Sequence, residues 1–561
     1  MLEYTVPKVL RNKKKKNTKF YIYVLFGMVI TLTILITVHQ LTPAGLTLFF
    51  PNPAPQVIPG LREWQGGTGT FTMGMTSRIT VDPAYATQLQ ETAQVFQSDL
   101  FQATGHPLQI VTSSSPAGGD FFLTLRNRDP VIGNEGYLFQ VGDSVVISAH
   151  TSAGIFYGTR TALQILLQDP TRIHIGRGVA RDYPKYKVRG FMLDVARKFF
   201  SIGALEDYVK MLSWYKMNVF HLHLNDNEMD AGNSPDWMHK YAAFRLNSDR
   251  FKGLAAKDGS YTRQDMRELQ DVARQHAVTI VPEIDTPAHA LAFTQYRSDL
   301  ASQKYSKEFL DLDNPNTYTF MNAIWDEFLP WFDAPQVHIG EDEYTLSDAN
   351  RYRQFINTYD SYLKSKGKTV EMWGSLTKMQ SSVMVNKDIV IDVWNNSWAN
   401  PVDMVRQGFQ IINANDNLLY IVPKAGYYHD YLDTKLLYQK WEPYIFDLAN
   451  PGMNLSPNDP HLLGGMFAVW NDKLGSVVSD LDVYERVKAA MPTLGEKMWS
   501  GTTNVVIYEQ FQQLAENIGV APGTSFPVLS LPNANSTYLP PFLNLLMIRK
   551  SFGSLIRGTM L

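Results

Sequence analysis

Eight short apolar runs, each followed by a stretch with helical spacing, recur from Lys185 onward, and this alternation constrains the fold more than any other feature. A strand that feeds an amphipathic helix returns to the sheet in parallel, and eight such units close the sheet on itself as a (β/α)8 TIM barrel. The strand candidates are residues 188–195, 219–224, 278–284, 336–339, 370–373, 389–393, 409–412 and 463–470. Between the first two, residues 204–217 carry Leu205, Tyr208, Val209, Leu212 and Tyr215 at three- and four-residue steps, the period of a helix with one buried face. Thr262 stands where an N-cap would start a further helix over residues 263–276. No repeat of about 20 to 50 residues is visible in the letters themselves, so the repetition is architectural.

Upstream, residues 61–184 read as a small α+β accessory domain. Its β-type runs fall at 71–73, 121–125 and 144–148, its helical stretches at 84–104 and 151–167, and a Ser/Pro/Gly loop at 112–120. Nothing in it gathers acids, bases or ligands. Residues 39–60 are rich in proline and read as a stiff spacer. Before them, residues 20–38 hold 19 residues without a charge, long enough for a transmembrane helix. Residues 1–19 carry seven basic side chains against one acid, which puts the N-terminus in the cytoplasm and the body outside. The segments expected are therefore a basic tail (1–19), an anchor (20–38), a linker (39–60), the accessory domain (61–184), the barrel (185–515) and a C-terminal extension (516–561). A cleaved signal, giving a secreted protein, is the alternative for 20–38. The apolar and basic residues of 540–561 fit packing on the barrel or contact with a membrane.

Charge and cysteine content narrow the setting. Beyond residue 19 the chain carries 44 basic and 53 acidic side chains, a balance that argues against nucleic acid as a partner. There is no cysteine, which removes thiol nucleophiles and disulfides and fits a bacterial cell surface better than a eukaryotic secretory route.

In a parallel barrel the reacting groups sit at the C-terminal ends of the strands. Polar and large aromatic residues accumulate past or within the strand ends: Arg189, Asp194, Asp226, Glu283, Asp285, His289, Asp342, Glu343, Trp373, Trp394, Tyr420, Trp470 and Asp472. Rings that stack on pyranose faces, beside carboxylates that bind hydroxyls or move protons, make a sugar pocket. The run HIGEDE (338–343) puts three consecutive acids after an apolar strand, an arrangement that raises their pKa values unless it faces solvent or does work.

Five strings in order, VRGFMLDVARKFF (188–200), VFHLHLND (219–226), VPEIDTPAH (281–289), HIGEDE (338–343) and GGMFAVWND (464–472), resemble glycoside hydrolase family 20, the β-N-acetylhexosaminidases. The resemblance covers residues 61–500 and implies retaining hydrolysis in which the substrate's own 2-acetamido group is the nucleophile. It implies Glu343 as acid and base, Asp342 as the carboxylate that orients the acetamido N–H and stabilises the developing charge, and Tyr420 as a donor to the acetamido oxygen. It further implies Arg189 as the residue that grips ring hydroxyls, Asp226 and His289 as the network tuning Glu343, Trp373, Trp394 and Trp470 as pocket walls, and Asp472 as a hydroxyl ligand. The implied partner is a glycan with a terminal N-acetylhexosamine, and no cofactor is expected.

Asp194 and Glu283 read instead as structural barrel partners. His221 and His223 share a strand face but lack a third ligand at suitable spacing, so no metal is expected. Against the family pattern, Glu341 replaces a glycine, Asn227 replaces an aspartate, and the last strand ends in Trp-Asn-Asp. These departures resemble the branch that includes lacto-N-biosidases, so release of a disaccharide stands as the alternative. A barrel that binds surface carbohydrate without cleaving it stands as another.

Overall fold

The computed structural model describes residues 50–474, 477–502 and 506–526. The expected anchor at 20–38, the basic tail before it and the apolar tail at 540–561 lie outside the described residues. Among the described residues no helix is long and apolar enough to cross a membrane.

From Asn52 the chain first builds a seven-stranded mixed sheet. Its order is Glu63–Thr72, His174–Asp182, Tyr137–Val141, Val145–Ala149, Phe121–Thr124, Arg78–Val81 and Gln109–Thr112. Helices Ala86–Thr104 and Ser152–Gln168 pack on it through Leu89, Phe96 and Leu100 and through Ile155, Phe156 and Leu163, all buried. Both helices follow the expected spans. Gln109–Thr112 has no fully buried residue and His174–Asp182 carries four charged or imidazole side chains, so neither announces itself as an apolar run.

The barrel follows. Its strands are Val188–Asp194, Val219–His223, Thr279–Thr286, Gln336–Gly340, Thr369–Trp373, Val390–Val393, Gln410–Asn413 and Leu462–Val469. They pair in parallel in that order, and the last pairs with both the first and the seventh, closing the ring. Every expected strand lies within two residues of an observed one. Outward-facing Phe191, Phe220 and Phe467 stack on neighbouring strands, and Tyr208 of helix Ile202–Trp214 packs against the first two. Helix Arg263–Gln275 is capped reciprocally by Thr262 and Asp265. A second, separate apolar cluster of Met192, Trp373, Ile412, Met466 and Ala468 fills the barrel's interior.

Two sequence readings are corrected here. Residues 52–60 are no free spacer: Ile58 is fully buried, exchanges hydrogen bonds with Gln164, and is followed by Gly60, whose N–H donates to Glu496. Val57 and Ile58 supply the apolar surface that holds the segment down. Arg189, expected on substrate, begins the first strand and so lies at the N-terminal face. It is fully buried and forks onto the Glu135 carboxylate of the accessory domain at 2.6 and 3.1 Å, while also donating to the carbonyls of Lys216 and Tyr186. Nearby, Lys216 Nζ donates to Asp182 and Tyr137, and the Trp499 indole donates to Asp182. Arg189 therefore clamps the two domains together.

Candidate functional site

The ends of the barrel strands and the loops that follow them deliver one pocket. It is lined by Arg197, Asp226, His289, Asp342, Glu343, Trp394, Tyr420, Val422, Tyr428, Trp470 and Asp472, and holds about 500 Å³ of space open to solvent. Of the ten expected site residues, eight line the pocket and only Arg189 and Trp373 fall outside it.

Trp373 is fully buried beneath the pocket. Its indole N–H donates to Glu283 at 2.6 Å, its ring stacks on His221, and it supports Trp470 from 5.7 Å. It is a floor brace, not a wall, because its position on the strand proper points it into the barrel, whereas Trp394 and Trp470 lie just past their strands. The group that sequence reasoning passed over is Arg197. It follows Asp194 by three residues, beyond the end of the first strand, and its guanidinium reaches Asp226 at 2.7 Å, Asp194 at 3.2 Å and Asp472 at 3.6 Å. Position along the strand was the available signal: an arginine at the start of a barrel strand faces the wrong end, and one in the loop after it faces the pocket. Asp194 and Glu283 take the structural roles expected of them.

Beneath the rim runs a continuous chain of buried polar contacts. Glu283 holds His223 Nδ1 at 2.7 Å, His223 Nε2 meets Asp226 at 2.8 Å, and Asp226 meets His289 Nδ1 at 3.0 Å. His289 Nε2 then faces Glu343 at 3.5 Å and Asp342 at 3.8 Å. Burial opposes the His289 cation, but Asp226 and Asp342 outweigh it and hold its pKa well above the ordinary value. Contact with His289 in turn keeps Glu343 below the usual carboxylate range. Burial pushes Asp342 up to about 6, with His289 opposing and Glu343 adding to the rise. Burial likewise pushes Asp285 far up, reinforced by Asp342. Asp226 is held far below its ordinary value because Arg197 and His289 overcome its burial. Adjacent acids thus differ by environment: Asp342 is recessed, and Glu343 is 53% exposed at the rim.

Backbone strain gathers at the same place. Glu341, Glu343 and His289 have φ of 75°, 49° and 50°, in the left-handed region that non-glycine residues avoid. Gly340 (φ 81°) could not be anything else, since a Cβ there would stand 1.8 Å from Asp285 Oδ1. Glu341 is fully buried, and neither carboxylate oxygen has a hydrogen-bond partner. Burial and the neighbouring Asp342 drive its pKa far up.

Three groups of side chains bring metal-capable atoms together: His221 with His338 and Asp392, His223 with Glu283 and Asp285, and Asp285 with His289 and Asp342. In the second and third, His223 and His289 already spend nitrogens on Glu283 and Asp226.

Comparison with known proteins agrees with this architecture. Residues 186–502 match the family model described as glycosyl hydrolase family 20, catalytic domain, and residues 54–183 match glycosyl hydrolase family 20, domain 2. A lacto-N-biosidase of Bifidobacterium bifidum is 23% identical over 83% of this chain and 42% of its own length. A beta-hexosaminidase of Vibrio furnissii is 26% identical over 63% of this chain and 62% of its own. The chain thus spans less than two thirds of either relative. Among solved structures, the beta-N-acetylhexosaminidase of Streptomyces coelicolor superposes with a TM-score of 0.69 at 22% identity, covering 83% of this chain and 96% of that one. A mutant Streptomyces plicatus beta-hexosaminidase in complex with its product GlcNAc gives 0.69 at 21%, over 83% and 95%. At these identities the likeness establishes a shared fold.

Proposed function

The chain belongs to glycosyl hydrolase family 20, and we propose that it is a retaining exo-glycosidase that removes terminal β-linked N-acetylglucosamine or N-acetylgalactosamine from glycans. The observation that carries this reading is the meeting of Asp342, Glu343, Tyr420 and the Asp226–His289 pair in one aromatic-walled pocket.

The substrate's 2-acetamido oxygen attacks the anomeric carbon, and the bond to the leaving oxygen breaks as that oxygen takes a proton from Glu343. The exposed position of Glu343 suits a group that must meet the aglycone. His289, whose Nε2 faces the carboxylate and whose Nδ1 is held by Asp226, tunes the proton affinity of that group. Asp342, deeper in the pocket, binds the acetamido N–H and offsets the positive charge of the cyclic intermediate. The Tyr420 hydroxyl donates to the acetamido oxygen. Water activated by Glu343 then opens the intermediate with net retention. Arg197 and Asp472 grip ring hydroxyls, while Trp394 and Trp470 exclude water from the sugar's faces.

The test uses the full chain, purified in detergent, with aryl β-N-acetylglucosaminide, aryl β-N-acetylgalactosaminide and aryl lacto-N-bioside, each beside Glu343→Gln. Release from a monosaccharide substrate that is lost in the variant supports the reading. Release from the disaccharide substrate alone transfers the protein to the lacto-N-biosidase reading, for which the Bifidobacterium relative is the precedent. Binding to immobilised glycan without release from any substrate makes it a carbohydrate-binding barrel.

The same proposal includes its location: a single-pass anchor at residues 20–38, the N-terminus cytoplasmic and the barrel outside, on a bacterial surface. The uncharged run and the lysines before it support this. Protease added to intact cells should digest the barrel and leave the tail, and recovery of the barrel in the medium would favour a cleaved signal.

A further inference from the structure

Two loops meet across the rim of the pocket through side chains that the chemistry above does not use. The loop after the second barrel strand brings up Met229, and the segment after the seventh brings up Tyr427, whose Oη lies 3.2 Å from Met229 Sδ. In ring order the eighth and first strands stand between those two. Beyond the ends of these intervening strands lie Asp472 and Arg197. The contact therefore spans the sector of the rim that holds the two charged groups assigned to ring hydroxyls, and neither Met229 nor Tyr427 itself lines the pocket.

Each end of this bridge is tied to one of those groups. Tyr427 has one hydroxyl proton and gives it to the Asp472 carboxylate, whose Oδ2 lies 2.7 Å away, so its approach to the thioether is a packing contact. Its ring meets Tyr428 edge-on at 5.9 Å, and Tyr428 lines the pocket and donates to Asp416 at 3.0 Å. On the other side the carbonyl of Asn227, two residues before Met229, accepts from Arg197 Nε at 2.9 Å. Glu228 is pinned by Lys240 at 2.8 Å and by the Tyr241 N–H at 3.1 Å. The two tips themselves bury little: Tyr427 is 49% exposed and Met229 56%. Truncating either one should cost the fold little.

A sugar held by Arg197 and Asp472 turns its hydroxyls toward them, and a second sugar attached at such a hydroxyl has to extend past Asp472. The Tyr427 ring and the Met229 side chain occupy that way out. We propose that Tyr427, closed against Met229, is the specificity-determining residue that limits the pocket to a single terminal sugar; this rests on the exo-glycosidase reading of the same pocket. Its ring acts as a barrier to a longer non-reducing end, the repulsive element by which a site rejects the wrong ligand. Its hydroxyl acts separately, as a positioning group that fixes one oxygen of Asp472 and leaves the other toward Arg197, 3.6 Å away.

Isothermal titration of the full chain in detergent reads this limit without any hydrolysis. The ligands are N-acetylglucosamine, lacto-N-biose with galactose on O3, and N-acetyllactosamine with galactose on O4. Wild type should bind the monosaccharide about tenfold or more tightly than either disaccharide. In Tyr427→Ala and in Met229→Ala that preference should fall about tenfold for at least one disaccharide, at unchanged Tm. Tyr427→Phe keeps the ring and removes the bond to Asp472, so the monosaccharide Kd should rise about three- to tenfold while the preference stays within about twofold. A wild type that binds a disaccharide as tightly as the monosaccharide overturns the proposal. So do alanine variants whose preference moves by less than about twofold. Hydrolysis of the aryl glycosides, followed beside the titrations, separates the two readings. Binding with the expected shift but no cleavage defeats the exo-glycosidase and supports the barrier, whereas a wild type that binds none of the three sugars defeats both.

Discussion

The exchange of roles between Arg189 and Arg197 is open to a decisive comparison of Arg197→Lys with Arg189→Lys. At Arg197 the change keeps the positive charge among Asp194, Asp226 and Asp472 but removes the planar fork that reaches them from 2.7 to 3.6 Å. The fold should survive, because the buried carboxylates keep a cation. What is lost is the forked guanidinium contact to the sugar, worth about 1.5 to 3 kcal/mol, so kcat/KM should fall about ten- to a hundredfold. At Arg189 the fork grips Glu135 and two backbone carbonyls at the opposite face of the barrel. Losing two of these bonds should cost about 3 kcal/mol of stability and leave kcat/KM within about twofold. The assay is kcat/KM on the aryl glycoside that the wild type cleaves, measured well below either unfolding transition, with Tm from circular dichroism for each variant. A tenfold loss of kcat/KM in Arg189→Lys at unchanged Tm, or an unaltered kcat/KM in Arg197→Lys, would refute the assignment.

Other outcomes follow from the same geometry. Asp342 works as a carboxylate, so kcat should decline as pH drops through about 6, and this limb should vanish from the residual activity of Asp342→Asn. Its raised pKa also stabilises the fold only in acid: the contribution is complete below the unfolded value near about 4 and is lost as pH rises through about 6, so Asp342→Asn should melt higher than wild type at pH 8 while being nearly inactive. Glu341→Gly should stabilise the protein by about 1 to 2 kcal/mol by relieving a left-handed, buried, unpartnered glutamate, and a lower Tm would show that the side chain has a partner role. Gly340→Ala should abolish activity, since its Cβ would displace Asp285 and with it the turn that carries Asp342. Retention of more than about a tenth of kcat/KM would mean the turn relaxes without harm.

The barrel was legible because each strand is an apolar run set off by helical spacing, and that pattern is local. All eight strands could be read to within two residues, together with Thr262, the cap that starts one of the helices. The acids and aromatics at the rim were legible for the same reason, since whatever follows a parallel strand lies at one end of the barrel. The accessory sheet was less so: Gln109–Thr112 and His174–Asp182 are half-polar, and their strand character comes from their neighbours in the sheet. Residues 52–60 looked like a spacer because proline content records stiffness, whereas their burial depends on Gln164 and Glu496, more than a hundred and more than four hundred residues away.

By itself the sequence determined the fold, the family resemblance and which strand ends carry acid, since hydrophobic period and strand polarity are properties of short stretches of chain. The tertiary structure alone decided that Trp373 supports the floor and that His221, His338 and Asp392 converge on the axis. Those facts depend on where side chains on separate strands point once the sheet has closed, and ring closure is a relation among distant residues that no local pattern encodes.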